Sequence, residues 1–148
     1  MKTPVFLTFG IISINLLIAV TFLLIIFQSP KLVWEFITRM PLNLSIGIIG
    51  LYISGKFIAE WMSSIIQKVK YISIPVGILG LFLILIVGIF CGSSVGFIEF
   101  GIPEINKGYD INEVINDYYF KPAFWILLFG SIPTIITGGF LGYLIKMN

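Results

Sequence analysis

Charged residues are absent from four long stretches of this 148-residue chain, at residues 3–30, 40–55, 71–98 and 122–145. A helix needs about 20 predominantly apolar residues to cross the hydrocarbon core of a bilayer. Three of the four stretches meet this requirement unaided, and the second meets it if one charge is tolerated. The pattern predicts an all-α integral membrane protein, a four-transmembrane-helix bundle in a single domain. We expect its spans at about residues 5–27, 42–64, 72–98 and 122–145.

The composition agrees with this prediction and removes several kinds of chemistry. Charged residues make up 11% of the chain and the mean hydropathy is +1.08, whereas soluble domains carry about 25% charged residues. The absence of histidine excludes His-dependent triads, haem ligation by His and most zinc sites, and a single cysteine, Cys91, excludes an intrachain disulfide. We therefore expect no enzyme, no catalytic residue, no metal and no cofactor. No basic cluster indicates a nucleic-acid partner.

The loop lysines and arginines favour an orientation with both termini in the cytoplasm, although by a narrow margin. Five such residues fall on the side of the termini and four on the other side. Six of the seven acidic residues fall on that other side, but acids contribute little to orientation. The prediction is a multi-pass protein of the cell inner membrane, and dual insertion remains an alternative. The two basic sets are Lys2, Lys56, Lys68, Lys70 and Lys146, against Lys31, Arg39, Lys107 and Lys121.

Two short helices are predicted between the spans, on the side opposite the termini. The first covers about residues 30–39, since Ser29 and Pro30 form a helix start and a charged stripe lies opposite an apolar face. The second covers about residues 111–120, because Asp110 and Glu113 have capping-box spacing ahead of helically spaced apolar residues. Both are expected to lie in the membrane interface. The alternatives are a solvated turn for the first and a solvated acidic loop for the second.

Small residues recur at four-residue spacing in two of the spans. Gly88, Gly92 and Gly96 form a glycine zipper in the third span, and Gly138 and Gly142 repeat the spacing in the fourth. Lipid gives helices no hydrophobic reason to associate, so close backbone contact at small residues is a main source of helix packing. Two interpretations remain open. The glycines pack helices within one chain, or the zipper forms an oligomer contact around a symmetry axis.

Few polar residues lie within the spans, and each is a candidate for function or for helix packing. Asn15 is expected to form an interhelical hydrogen bond, with a binding role as the alternative. Tyr52, Lys56 and Glu60 share one side of the second span, where the two charges either line an ion pathway or extend their side chains to the membrane surface. Glu99 lies at the outer end of the zipper face. Its expected partners are Lys31 or Arg39.

These features favour a protein that acts through helix contact. It would be an accessory or assembly subunit of a larger membrane complex, or an immunity or defence factor in the inner membrane. The scarce polarity is enough to hold helices together but is small for a permeation path. The expected partners are the lipid bilayer and either further copies of the chain or other subunits. The alternative is a homo-oligomeric pore, channel or small transporter, lined by the zipper face or by Tyr52, Lys56 and Glu60.

Overall fold

A computed structural model describes residues 2–147, and in this part of the chain it contains helices and turns but no strands. The long helices are α1, α3, α4 and α7, and the short ones are α2, α5 and α6. One π-helical turn joins α4 to α5 and a second joins α6 to α7. The bounds are α1 Lys2–Phe27, α2 Pro30–Arg39, α3 Pro41–Lys68, α4 Ser73–Gly96, first π-helical turn Phe97–Gly101, α5 Ile102–Asn106, α6 Ile111–Ile115, second π-helical turn Asn116–Phe120 and α7 Lys121–Met147.

In residues 2–147, four helices are long and apolar enough to cross a membrane, which confirms the predicted all-helical class with four long apolar elements. Each long helix runs antiparallel to the two long helices against which it packs most extensively. Helix α4 packs against α3 and α7, and α1 packs against the same two helices. Residues 2 and 147 consequently lie at the same end of the bundle. We call this the termini end, and the opposite end, which carries α2, α5 and α6, the hairpin end.

The buried core lies towards the termini end. It joins the first half of α1, the last part of α3, the first half of α4 and the last turns of α7. The second half of α1 lies outside this core, and most of its side chains from Leu17 onward are exposed. The buried core residues are Ile11, Ile12, Ala59, Met62, Ile66, Val76, Leu81, Ile84, Leu141 and Ile145.

The short helix α2 has the bounds that the sequence predicts. Ser29 has the extended backbone of an N-cap residue, with φ −150° and ψ 118°, and Pro30 follows at the first helical position. Val33 is buried beneath the helix, whereas Trp34 is 67% exposed on its other side. Helix α2 is therefore amphipathic in the structure. Its location in a membrane interface stays a prediction.

Residues 111–120 differ from the expected separate helix. They are helical, but they continue into α7 without a break, and α4 likewise continues into α5. Each continuous helix, Lys70–Asn106 and Ile111–Met147, has 37 residues, a length of about 55 Å against about 30 Å for a bilayer core. Both helices are therefore much longer than a single span requires, and they extend at the hairpin end.

Two prolines of the hairpin end lie inside these continuous helices. Pro103 and Pro122 each lie two residues beyond a π-helical turn. A proline inside a helix removes one backbone hydrogen bond and crowds the preceding turn. The wider π-helical turn is a common adjustment within an otherwise continuous α-helix. The helix thus passes each proline instead of ending before it.

Candidate functional site

The zipper glycines of α4 lie against α3 of the same chain. A Cβ added at Gly92 would lie 3.0 Å from the backbone oxygen of Asn43, and one at Gly47 would lie 3.3 Å from the oxygen of Gly88. A Cβ at Gly96 would meet the Asn43 amide group at 2.7 Å. Backbone contact at this distance requires residues without a side chain. In a single chain the zipper face is already filled by α3.

The opposite contact of α4, with α7, is equally close. A Cβ added at Gly138 would lie 2.8 Å from the Cα of Ile78, and one at Gly77 would lie 2.7 Å from the Cα of Gly142. Gly142 in turn faces the backbone oxygen of Ser73. Gly138 and Gly142 are thus packing residues within the chain. Helix α4 is held by glycine contacts on two sides.

Asn15 joins α1 to α7 through a hydrogen bond between side chains. Its Nδ2 donates to Thr137 Oγ1 at 2.9 Å and also to the Ile11 backbone oxygen at 3.2 Å. The Thr137 hydroxyl lies 2.7 Å from the Pro133 oxygen, to which it donates. Asn15 therefore makes the interhelical bond that its position in an apolar helix predicts. The Asn15 amide nitrogen makes two hydrogen bonds within the bundle.

Tyr52 points towards α1 and is separated from the charges with which the sequence grouped it. Its hydroxyl lies 2.7 Å from Ser13 Oγ, and its ring packs edge-on against Phe9 with the centroids 5.3 Å apart. Lys56 and Glu60 are exposed. Helical spacing placed the three residues on one side of α3, but the long Tyr52 side chain reaches across to α1. Its role in the structure is to hold α1 against α3.

Lys56 and Glu60 lie on the outer surface of α3, flanked by exposed apolar side chains. Ile53 is 58% exposed and Phe57 is 64% exposed, and the Lys56 Nζ lies 5.9 Å from the centre of the Phe57 ring. Within the described chain, Lys56 and Glu60 form no ion pair with each other or with any other residue. We call these four residues the α3 charged face. It is the most unusual surface on an otherwise apolar bundle.

The position of Lys56 along α3 would make this exposure costly in a bilayer. Lys56 is fifteen helical steps from Pro41, about 22 Å along the axis, against an apolar core of about 30 Å. A lysine at the centre of a spanning helix costs about 2.5 to 3.5 kcal/mol, and the cost is smaller nearer the surface, where Lys56 would lie. Extension of the side chain to the surface lowers this cost, and so does an opposite charge on a partner. The α3 charged face therefore calls for one of these two solutions.

Glu99 is exposed in the first π-helical turn, and the expected ion pair with Lys31 or Arg39 is absent from the described chain. The ion pair of the hairpin end is instead Lys121 with Asp117, 2.5 Å apart and with side chains 60% and 53% exposed. An exposed pair at i and i+4 contributes about 0.3 to 0.5 kcal/mol. The continuous α4–α5 helix carries Glu99 on its surface, away from the polar contacts of the bundle. Glu99 is thus a surface residue of the hairpin end.

A polar cluster at the hairpin end was missed by the sequence analysis. Tyr119 donates its hydroxyl hydrogen to Ser94 Oγ at 3.2 Å. Burial and the negative charge of Glu104 raise the pKa of the Tyr118 hydroxyl. Both tyrosine rings contact Phe97. The sequence signal was two adjacent tyrosines just ahead of the fourth predicted span. The second π-helical turn sets the directions of these side chains, and no local pattern revealed it.

Comparisons with known proteins do not assign this arrangement to a family. No protein-family model, curated protein or solved structure matches the chain significantly. Within residues 2–147 no three Cys, Asp or Glu side chains converge as a metal site would require. The proposed function therefore rests on the α3 charged face and on the packing of the bundle.

Proposed function

We propose that the chain is a multi-pass protein of the inner membrane that works through helix contact rather than catalysis. In this role it is an accessory or assembly subunit of a larger membrane complex, or a membrane immunity or defence factor. The observation that carries the proposal is the α3 charged face. Lys56 and Glu60 point outward from a long apolar helix, and neither has a charged partner within the described chain.

A partner helix with complementary charges would satisfy this face. Lys56 and Glu60 are four residues apart, which places them on one side of α3. Ionisable residues within spanning segments usually pair with one another or face a protein interior. A partner helix that covers the face would supply opposite charges and would place Lys56 and Glu60 in a protein interior. It would also bury Ile53 and Phe57. Contact with another membrane helix is therefore the simplest use of this surface.

The interior of the bundle supports contact over transport by a single chain. The core is formed by apolar side chains. The fully buried hydroxyl of Thr8 donates to the backbone oxygen of Pro4 at 2.9 Å, within its own helix. A permeation path needs polar groups along its length, whereas Asn15 and Tyr52, two of the polar candidates for such a path, are used in helix packing.

Photocrosslinking in intact membranes tests the proposal. A photoreactive phenylalanine analogue replaces Phe57 on the α3 charged face, and a matched variant carries it in place of Ile132, a 68% exposed residue of α7. We expect a discrete protein adduct at residue 57 and none at residue 132. The adduct at residue 57 should be lost when Lys56→Gln and Glu60→Gln are added. Equal adducts at both positions, or none at either, would overturn the contact function.

The second candidate is a homo-oligomeric pore, favoured by the same exposed charges if several α3 helices surround an axis. It predicts ion flux in liposomes that contain the purified protein. Lys56→Gln and Glu60→Gln would abolish this flux while the oligomer remains intact on gel filtration. The contact function predicts no flux above that of empty liposomes. If flux is observed and depends on both charges, the contact function is wrong and the pore takes its place.

A further inference from the structure

A cavity of about 240 Å³ opens at the termini end, between the end of α3 and the last turn of α7. Its lining residues are Ile66, Gln67, Lys70, Ile145 and Lys146. Ile66 and Ile145 are 1% and 3% exposed and belong to the buried core. The cavity thus has an apolar inner wall, and its polar lining consists of two lysines and one amide.

The charges around this cavity are unbalanced. Lys70 and Lys146 are exposed, and the described chain offers neither of them an ion pair. No acidic residue lines the cavity. Glu60 is the single acidic residue in the termini half of the bundle, and it lies two helical turns before the end of α3. Among residues 2–147, two cationic groups from different parts of the chain therefore line one cavity that no acidic side chain lines.

The chemistry of the lining fits an anion with an apolar extension. Lysine binds phosphate as a compact point charge with three donor hydrogens, and the Gln67 amide is a further donor. The inner wall of Ile66 and Ile145 offers contact to hydrocarbon. Basic pockets between spanning helices on the cytoplasmic side are suited to anionic lipid head groups. A free inorganic phosphate would use the lysines but gain nothing from the apolar wall.

We infer that this cavity binds the phosphate of an anionic phospholipid head group, with Lys70 and Lys146 as the cationic ligands. The inference rests on the proposed membrane location and does not depend on the contact function of the α3 charged face. The phosphate would lie between the two ammonium groups at the membrane surface. The first carbons of the lipid would lie against Ile66 and Ile145.

Native mass spectrometry of the full chain tests this inference. The protein is released from nanodiscs of equal parts phosphatidylcholine and phosphatidylglycerol, and the bound lipids are counted. Each lysine near an anionic surface contributes about a fivefold preference for anionic over neutral lipid. We expect the double variant Lys70→Gln/Lys146→Gln to lose the preference for phosphatidylglycerol by about tenfold or more. The double variant Lys70→Arg/Lys146→Arg keeps both charges and should retain most of it.

The matched control removes the same charge from other places. Lys68→Gln/Lys121→Gln deletes one lysine at the termini end outside the cavity and one at the hairpin end, and we expect it to lose clearly less of the preference for phosphatidylglycerol than the cavity variant, because neither lysine lines the cavity. Equal loss in this control, or no loss in the cavity variant, would overturn the inference. An excess of inorganic phosphate, added to the protein in detergent, distinguishes a lipid head group from free phosphate as the bound anion. If phosphate displaces the lipid fully and protects the chain equally from unfolding, the ligand is a free anion and the lipid assignment is wrong.

The readout requires no partner protein, so its failure leaves the contact function standing. Circular dichroism of each variant shows whether the helical fold is retained. A variant that does not fold is replaced by the single changes Lys70→Gln and Lys146→Gln, each expected to lower the preference about fivefold. A chain that does not enter nanodiscs at all would instead contradict the proposed membrane location.

Discussion

Helices α4 and α1 are both apolar and of similar length, but they are held in the bundle by different means. In the most apolar window of the continuous helix that contains α4, 39% of the residues are buried, against 11% in α1. Helix α4 approaches two neighbours so closely that glycines are required at the contacts. Helix α1 is attached by its first half and by two pairs of hydrogen-bonded side chains. The second half of α1 leaves most of its surface open.

The difference indicates that the bundle combines a closely packed part with a weakly held part. Close backbone contact at glycines brings many atoms together at little cost in side-chain entropy, and helix association in lipid depends on such packing. Interhelical hydrogen bonds are worth about 0.6 to 2 kcal/mol each. We therefore expect α3, α4 and α7 to form the stable unit. Helix α1 should be the first element to separate from it.

The largest expected effect comes from adding a single methyl group to the α4–α7 contact. In Gly77→Ala the new Cβ would lie 2.7 Å from the Cα of Gly142, and close to the Gly138 oxygen. Because both neighbours are backbone atoms, no side chain can move away. Overpacking of this kind costs about 1 to 3 kcal/mol, and we expect the upper end. Equilibrium unfolding in mixed detergent, followed by circular dichroism, measures the loss.

Gly10→Ala is the matched control for this prediction. A Cβ at Gly10 would have no neighbour within 4 Å. Alanine is a better helix former than glycine by about 1 kcal/mol, so we expect this variant to be as stable as the unmodified chain or slightly more so. If Gly77→Ala proved as harmless as Gly10→Ala, the distinction between α4 and α1 would lose its physical basis.

The long helices and the start of α2 were the more predictable features of the molecule. The charge-free stretches located the four long helices, since charge inside a span is costly. Ser29 and Pro30 gave the start of α2 because N-cap and first-turn preferences are local. The spacing of Gly88, Gly92 and Gly96 indicated a close contact. It could not say that α3 fills it, because the partner of a face is set by the whole bundle.

Two features of the hairpin end and of α1 could not be predicted from local patterns. The third span was expected to end at residue 98 and the fourth to begin at residue 122, but the continuous helices extend to Asn106 and begin at Ile111, past Pro103 and Pro122. Tyr52 was grouped with Lys56 by its position on α3, but it bonds Ser13 because a tyrosine side chain is long enough to reach the neighbouring helix. Both outcomes depend on contacts between elements.

A double-mutant cycle at Asn15 and Thr137 should give an intermediate effect. Asn15→Leu and Thr137→Val each remove one partner of the 2.9 Å hydrogen bond with little change in volume. Bonds of this kind in membrane proteins contribute about 0.6 to 2 kcal/mol, and we expect a coupling energy of about 1 kcal/mol. The same unfolding assay provides the free energies of unfolding of the unmodified chain, the two single variants and the double variant. Thr21→Val is the control, since Thr21 bonds only the Leu17 oxygen of its own helix at 2.8 Å. A coupling energy near zero would show that Asn15 does not hold α1 against α7.

The smallest expected effect concerns the contact between α1 and α3. Tyr52→Phe removes only the hydroxyl that lies 2.7 Å from Ser13 Oγ, and the ring can keep its edge-on contact with Phe9. Ser13 Oγ retains its bond to the Phe9 backbone oxygen at 3.0 Å. Since both groups remain packed, we expect a loss of about 0.6 kcal/mol, the average for such bonds between spanning helices.

Hydrogen–deuterium exchange can locate this small loss where global unfolding cannot. If α1 is the weakly held element, Tyr52→Phe should raise exchange in the first half of α1 and leave the α4–α7 contact unchanged, because local opening of a weakly packed element does not require the core to unfold. Ser13→Ala should give the same pattern, and the double variant should add little further, since either change removes the same bond. Faster exchange in α4 as well would mean that α1 is coupled to the glycine contacts, and that the bundle opens as one unit.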